Sequence, residues 1–149
     1  MRLIGHGFAT GEESAELFAG LRALDLFAPL SDEQLRKVLY FVKMVEFEAG
    51  ETVFEKGSDG DLFFLIHSGA VEAYAPGFFG PKVLKRMEPG DFFGELALIL
   101  RQPRSAGIRC VEPTVCFTLD RTDLELLMER SPDVADAIKR VAQRRFGST

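Results

Sequence analysis

Histidine and cysteine are scarce in this chain, with two of each among 149 residues. His6 and His67 lie far apart, and neither has a second imidazole and a carboxylate close by in sequence. That spacing excludes the clustered ligand set a metal enzyme on an all-β scaffold uses, so no metal site is expected. Cys110 and Cys116 flank Pro113 in apolar, strand-like stretches and fit no zinc spacing. They read as free, half-buried thiols of a reducing cytoplasm. No serine, cysteine or lysine stands with a recognisable base and orienter, so no catalytic residue is assigned and the chain is not expected to be an enzyme. Long apolar runs are missing too: the longest, residues 62–66 and 96–100, are far too short to span a bilayer. Residues 1–11 lack the apolar core of a secretory signal. There is also no basic run, and a net charge of −5 gives no field that would attract a polyanion, so nucleic acid is not an expected partner.

What is present fits one globular domain. Apolar residues make up 46% and charged residues 28% of the chain, ordinary proportions for a water-exposed fold of this length. Charge is unevenly distributed: residues 1–74 carry 6 Lys and Arg against 13 Asp and Glu, residues 75–149 carry 12 against 10. The first half is therefore −7 and the second +2, and a single small anion held locally is compatible with that charge.

Residues 1–11 show no periodicity and read as a mobile arm, leaving 12–149 as the domain. Leu17, Phe18, Leu21 and Leu24 follow helical spacing and predict a helix over about 12–23. Ser31 and Gln34 form a capping-box pair ahead of Leu35, Val38 and Leu39. Short β-like runs follow at 42–47, 52–54, 62–68, 70–75 and 82–87, then at 105–111 and 114–119. Glycines at 50, 57, 60, 69, 77, 80 and 90 punctuate them. Many short strands with glycine turns predict a β-sandwich or jelly roll. Two helices close the chain. Thr122 and Glu125 look like a capping box for the first, and Ser131-Pro132-Asp133 gives the second an N-cap, a first-turn proline and a dipole-matched acid.

Residues 93–106, FGELALILRQPRSA, carry the chemistry. A short strand ends at Gly94, and residues 95–100 favour one or two helical turns. Amides at the start of such a turn lack internal partners and suit an anion. Gly94 permits unusual backbone angles and a close approach. Pro103 stops the turn, Arg104 offers a planar fork matched to two phosphate oxygens, and Ser105 adds a hydroxyl. Glu95 would repel a phosphate, and so fits a sugar hydroxyl instead.

Taken together, Phe93, Gly94, Glu95, Leu96, Ala97, Leu98, Pro103, Arg104, Ser105 and Ala106 resemble the phosphate-binding cassette of the cyclic nucleotide-binding domain family. That family includes the kinase A regulatory subunit, the catabolite activator and bacterial cyclic nucleotide-gated channels. The resemblance runs from about residue 24 to 146. It implies a mainly β fold, an eight-stranded antiparallel jelly roll at 42–120, with N-terminal helices at 12–41 and a C-terminal helix pair, hinge and lid, at 121–146. It implies cyclic AMP or cyclic GMP as ligand, with no cofactor, bound by Gly94, Glu95, Leu96, Ala97, Arg104 and Ser105. Cyclic AMP is favoured, because the threonine associated with guanine selectivity is replaced by Ser105. The bacterial channel domains, which this cassette and helix ending most resemble, place an arginine of the last helix against the base. Alignment from the Ser-Pro-Asp start puts Arg144 there, with Arg145 as the alternative.

Asp61 has two readings, a self-satisfied turn residue or, by family position, the acid that orients Arg104. Gly107 departs from the family, which often has threonine or serine there. The 149 residues hold neither a helix-turn-helix nor a second nucleotide domain, so the regulated effector is not legible. A cytoplasmic location and a monomeric state are the favoured expectations. The tip Pro76-Gly77-Phe78-Phe79-Gly80-Pro81 places two phenylalanines between turn residues. They either fold back on the roll or form an apolar contact patch. The latter sustains an alternative reading, a jelly roll that mediates interactions without binding ligand.

Overall fold

The computed structural model of the protein describes residues 1–6 and 11–145. Its centre is the strand with the strongest apolar run. In β4 (Leu62–Ser68) four consecutive residues, Phe63 to Ile66, are buried. Successive side chains of a strand point to opposite faces, so such a run requires cover on both sides. Phe64 and Ile66 enter one core with Val45, Phe47, Val71, Met87, Phe93, Ile108 and Cys116. Phe63 and Leu65 enter the other, with Leu17, Leu21, Leu35, Leu39, Leu124, Val134 and Ile138 from the helices.

The first core lies between two antiparallel sheets. One is built from β1 (Arg2–His6), β2 (Lys43–Phe47), β9 (Thr114–Asp120), β4 and β7 (Phe92–Phe93), in that order. The other runs β3 (Thr52–Phe54), β8 (Gly107–Cys110), β5 (Val71–Ala75), β6 (Lys82–Met87). Strands β2 to β9 are the eight-stranded antiparallel roll that the spacing and resemblance predict. Burial pushes the Cys116 thiol up to about 12 and also raises that of Cys110, so neither is a ready nucleophile.

Strand β1 corrects the expectation of an arm. Residues 2–6 pair antiparallel with β2, Arg2 opposite Glu46 and Leu3 opposite Val45. The Met1 ammonium meets Glu51, and Arg2 meets Glu46. Most of β1 is exposed, so no alternation of apolar and polar residues marks it. Its pairing comes from backbone groups on the edge of β2. The rest of the expected arm, 7–10, lies outside the described residues apart from Gly11, which precedes the first helix.

The helices form one layer on the outer face of the five-stranded sheet. In α1 (Glu12–Arg22), Gly20 lets the helix settle onto β4: a Cβ there would stand 2.5 Å from Leu65 Cδ2. The capping box of α2 (Asp32–Leu39) forms as expected, Ser31 Oγ accepting from the Gln34 amide and Gln34 Oε1 from the Ser31 amide. The cap of α3 (Arg121–Arg130) differs. It is Asp120, still extended at the end of β9, whose carboxylate accepts from the Thr122 amide at 2.6 Å, so the helix begins before the Thr122 expected to cap it. In α4 (Pro132–Arg145) the Ser131 carbonyl accepts from the Ala135 amide and Pro132 takes the first helical position. Gln34 of α2 donates to Asp133 of α4 at 2.8 Å. His67 of β4 lies 2.8 Å from Glu16 of α1 and edge-on to Phe117. No described helix is long and apolar enough to cross a membrane.

Gly107 now has a physical reason. A Cβ built on it would lie 2.4 Å from the Tyr74 ring on the neighbouring strand. Gly107→Thr should therefore lower unfolding free energy by about 1–3 kcal/mol through overpacking. In urea titrations the loss should shrink in a Tyr74→Ala background. An equal loss in both backgrounds would mean that the ring is not the obstacle.

Candidate functional site

The cassette begins where β7 ends. Gly94 adopts φ 83°, ψ 18°, a left-handed conformation that L side chains rarely take. A Cβ there would also meet the Leu62 carbonyl at 2.8 Å and Arg104 Nη1 at 3.0 Å. Glycine is thus required twice, for the turn and for the approach of the arginine. Residues Glu95–Leu98 form a single 3-10 turn, tighter and shorter than the one or two α-helical turns expected. Its Leu98 is buried in the helical core.

Arg104 is held in place by its backbone. The turn between β3 and β4 clamps it on both sides: the Gly57 amide donates to the Arg104 carbonyl and the Arg104 amide to the Ser58 carbonyl, both at 2.8 Å. The guanidinium lies over the Phe54 ring, Cζ 4.0 Å from its centre, and Nη2 donates to the Leu62 carbonyl at 2.8 Å. Its buried Nε has no acceptor among the described residues. Gly60 makes room for it, since a Cβ there would sit 2.0 Å from Nε. Burial lowers the guanidinium's pKa, the Asp61 carboxylate opposes that shift, and the Arg121 charge adds to it. Arginine nonetheless stays charged. Asp61 therefore acts on Arg104 through its field. Among the described residues no ion pair within 4.0 Å joins the two.

Gly94, Glu95, Leu96, Ala97, Arg104 and Ser105 line one cavity of about 300 Å³, with Phe54, Phe92 and Phe93 beside them. That volume is at the lower end of small-ligand sites. The resemblance-derived set thus comes together, except Arg144. Arg144 is exposed on the last described turn of α4 and does not line the cavity. Arg145 has its side chain outside the described residues, and the final expected lid residue, Phe146, falls outside them altogether. Glu95 lines the cavity and also accepts from the Leu26 amide at 3.3 Å, which ties the cassette to the connection between α1 and α2. A neighbouring cavity of about 390 Å³ is lined by Asp59, Asp61, Arg101 and Arg121. Both cavities pair acids with an equal number of cations, and what distinguishes the cassette cavity is the half-buried Arg104, whose Nε has no acceptor among the described residues. Among the described residues no three histidine, cysteine or acidic side chains gather as a metal site would require.

Sequence reasoning missed Arg121. Its side chain is only 12% exposed, and Nη1 donates to the carbonyls of Ala97 at 2.9 Å, Leu100 at 3.1 Å and Gly60 at 3.5 Å. Its amide donates to the Asp61 carbonyl at 2.8 Å. One residue at the start of α3 thus joins the cassette to the turn that clamps Arg104. The only sequence signal was a cation in the first turn of a helix, where the dipole disfavours it.

A β-roll carrying a glycine-turned cassette and a half-withdrawn arginine is an architecture suited to holding a small anion. The family model described as cyclic nucleotide-binding domain matches residues 44–131, and the chain belongs to that family. It is 32% identical over 126 residues to a cAMP-dependent protein kinase regulatory subunit of Yarrowia lipolytica, covering 82% of this chain and 32% of the relative. It is 32% identical over 123 residues to a Rhodopseudomonas palustris protein provisionally named as a potassium channel, covering 82% and 29%. The chain thus spans about a third of the length of these relatives. The crystal structure of the Toxoplasma gondii PKA regulatory domain with cAMP superposes with a TM-score of 0.72 at 27% identity, covering 89% of this chain and 49% of that one.

Removing the Arg121 donors leaves the Ala97 and Leu100 carbonyls short of partners. Arg121→Met should cost roughly 1–3 kcal/mol of stability in urea unfolding. A wild-type midpoint would show that the three carbonyls do not depend on it.

Proposed function

We propose that this domain is a cyclic AMP sensor, favouring cyclic AMP over cyclic GMP, and that it transmits occupancy through α3 and α4 without catalysing a reaction. The observation that carries the reading is the Arg104 guanidinium, clamped by its backbone at a cavity of about 300 Å³ with its buried Nε lacking an acceptor among the described residues. An anionic phosphate would supply both acceptor and counter-charge, restoring what burial removes. Ser105 and the first amides of the 3-10 turn would add donors, and Glu95 would accept from a ribose hydroxyl. The ligand preference is supported by serine rather than threonine at 105 and by the relatives named for cAMP.

Transmission follows from what the cassette touches. Leu98 is buried with Leu124 and Leu127 of α3 and Val134 and Ile138 of α4, and Arg121 bonds the Ala97 and Leu100 carbonyls. A ligand that reshapes the 3-10 turn must disturb both contacts, so it binds the two helix arrangements unequally and shifts their populations. For Arg144 to reach a base, α4 would leave its present seat, where Val134, Ile138 and Val141 are buried. The regulated effector is a separate matter, because relatives of different output share this domain.

Calorimetric titration tests the ligand: cyclic AMP should bind more tightly than cyclic GMP, and equal or reversed affinities would defeat the preference. Arg104→Lys keeps the charge but loses the planar fork, and should weaken cyclic AMP binding by roughly one to two orders of magnitude. Arg104→Ala should weaken it further. Near-native affinity in a folded Arg104→Ala protein would remove the cassette from the account.

The lid has its own test. Arg144→Ala should weaken cyclic AMP several-fold and leave unfolding midpoints unchanged, with Arg145→Ala affecting affinity less. Unaltered affinity in both variants would move the closing contact elsewhere on α4.

The alternative of an interaction module gains one observation, the exposure of Phe78 and Phe79 at 97% and 98%. Because the cassette residues are intact, it stands as an added role and not as a replacement.

A further inference from the structure

The hairpin joining β5 and β6 ends in the most exposed large apolar residues of the described chain. Phe78 and Phe79 do not fold back onto the roll. Their rings touch each other edge to face, centroids 5.1 Å apart, and are otherwise bare. The turn is shaped by glycine at both ends: the Gly80 amide donates to the Gly77 carbonyl at 3.3 Å and Gly80 takes φ 116°. On β6, Val83 and Leu84 are also 46% and 52% exposed.

The charge around this tip is opposite in sign to that of the protein. Between Glu72 and Glu88 the chain has Lys82, Lys85 and Arg86 and no acidic residue, in a protein of net charge −5. Arg86, at the far end of the hairpin, lies opposite Glu72 and pairs with Glu88 and Glu112, so Lys82 and Lys85 are the cations that serve the tip. We infer that the tip is a docking point for an anionic lipid surface: the two phenyl rings enter the boundary between headgroups and acyl chains while Lys82 meets the headgroups, with Lys85 behind it on the same strand. The dimensions agree. A strand rises about 3.4 Å per residue, so Lys82 follows the rings by roughly 10 Å, and long basic side chains can bury their stems while keeping their charge in water. Interfacial apolar groups sink about 5–10 Å, and juxtaposed cations add attraction to anionic leaflets.

A second copy of the chain fits the surface less well. Strand β6 is an edge, bonded only to β5, and lysines on an edge oppose pairing with another strand. A second copy would also bring Lys82 and Lys85 against their own counterparts. A convex tip with two bare rings suits a deformable surface, which needs no matching pocket.

Vesicle co-sedimentation tests the inference with the full chain. The protein should pellet with phosphatidylcholine vesicles containing about one-third phosphatidylserine and stay in the supernatant with pure phosphatidylcholine. Raising salt from about 0.1 M to about 1 M should release it, as the Debye length falls from about 10 to about 3 Å. Phe78→Ser/Phe79→Ser and, separately, Lys82→Glu/Lys85→Glu should each lower the bound fraction roughly tenfold with unchanged thermal midpoints, because both act on exposed residues of the hairpin. Absence of binding to the anionic vesicles overturns the inference, as does binding that the phenylalanine variant leaves intact. It is also overturned if no vesicle binding occurs but sedimentation velocity shows self-association that the variant abolishes, since the rings would then be a contact between copies. None of these readouts depends on nucleotide binding, so the sensor reading and this one fail independently.

Discussion

The withdrawal of the Arg104 guanidinium from water is the constraint around which the site is built. A charged group loses solvation when buried, and the surroundings must return part of that loss. Here the return is partial: one carbonyl bond from Leu62, the face of Phe54 and the field of Asp61. Gly60 is glycine because the guanidinium occupies the space its side chain would need, and Gly94 because its backbone is left-handed and the Leu62 carbonyl and the guanidinium crowd the place of a Cβ. The cassette and the clamping turn are therefore two halves of one cradle, although they lie some forty residues apart.

That cradle is tied to the helices by polar and apolar contacts that differ in kind. Leu98 contributes burial, which tolerates sliding, whereas Arg121 contributes directed bonds to carbonyls on two different loops. Directed bonds break in discrete steps, so any shift of the 3-10 turn relative to the start of α3 has to break the Arg121 bonds. Glu95 adds a third link, to the Leu26 amide between α1 and α2. Both ends of the helical layer thus contact one short turn.

The roll and the hairpin tip follow different rules. Within the roll, phenylalanines interlock: Phe64 stacks on Phe93 at 5.0 Å, and Phe54 meets both. At the tip, Phe78 and Phe79 have only each other. The same residue type thus serves as core in one place and as exposed surface in the other. A hairpin that extends past the end of its sheet has nothing to fold against.

The sequence alone determined the features that are local. Gly94 through Ala106 were legible because the glycine turn, the breaker and the arginine act within fourteen residues. Ser31 with Gln34 was legible because a capping box spans one turn. Strand β4 was legible because a run of buried positions cannot be anything exposed. Tertiary structure alone decided what depends on residues far apart in the chain. Arg121 reaches carbonyls 21 and 24 residues upstream, and 61 upstream at Gly60. Strand β1 exists because the edge of β2 offers it a backbone partner, which no side-chain pattern announces. Asp120, and not Thr122, caps α3 because β9 delivers it in an extended conformation. Gly107 is glycine because of the Tyr74 ring on the adjacent strand. Hydrogen-bond reach and steric exclusion act over a few ångströms in space, so they can be read from sequence only where a few ångströms also means a few residues.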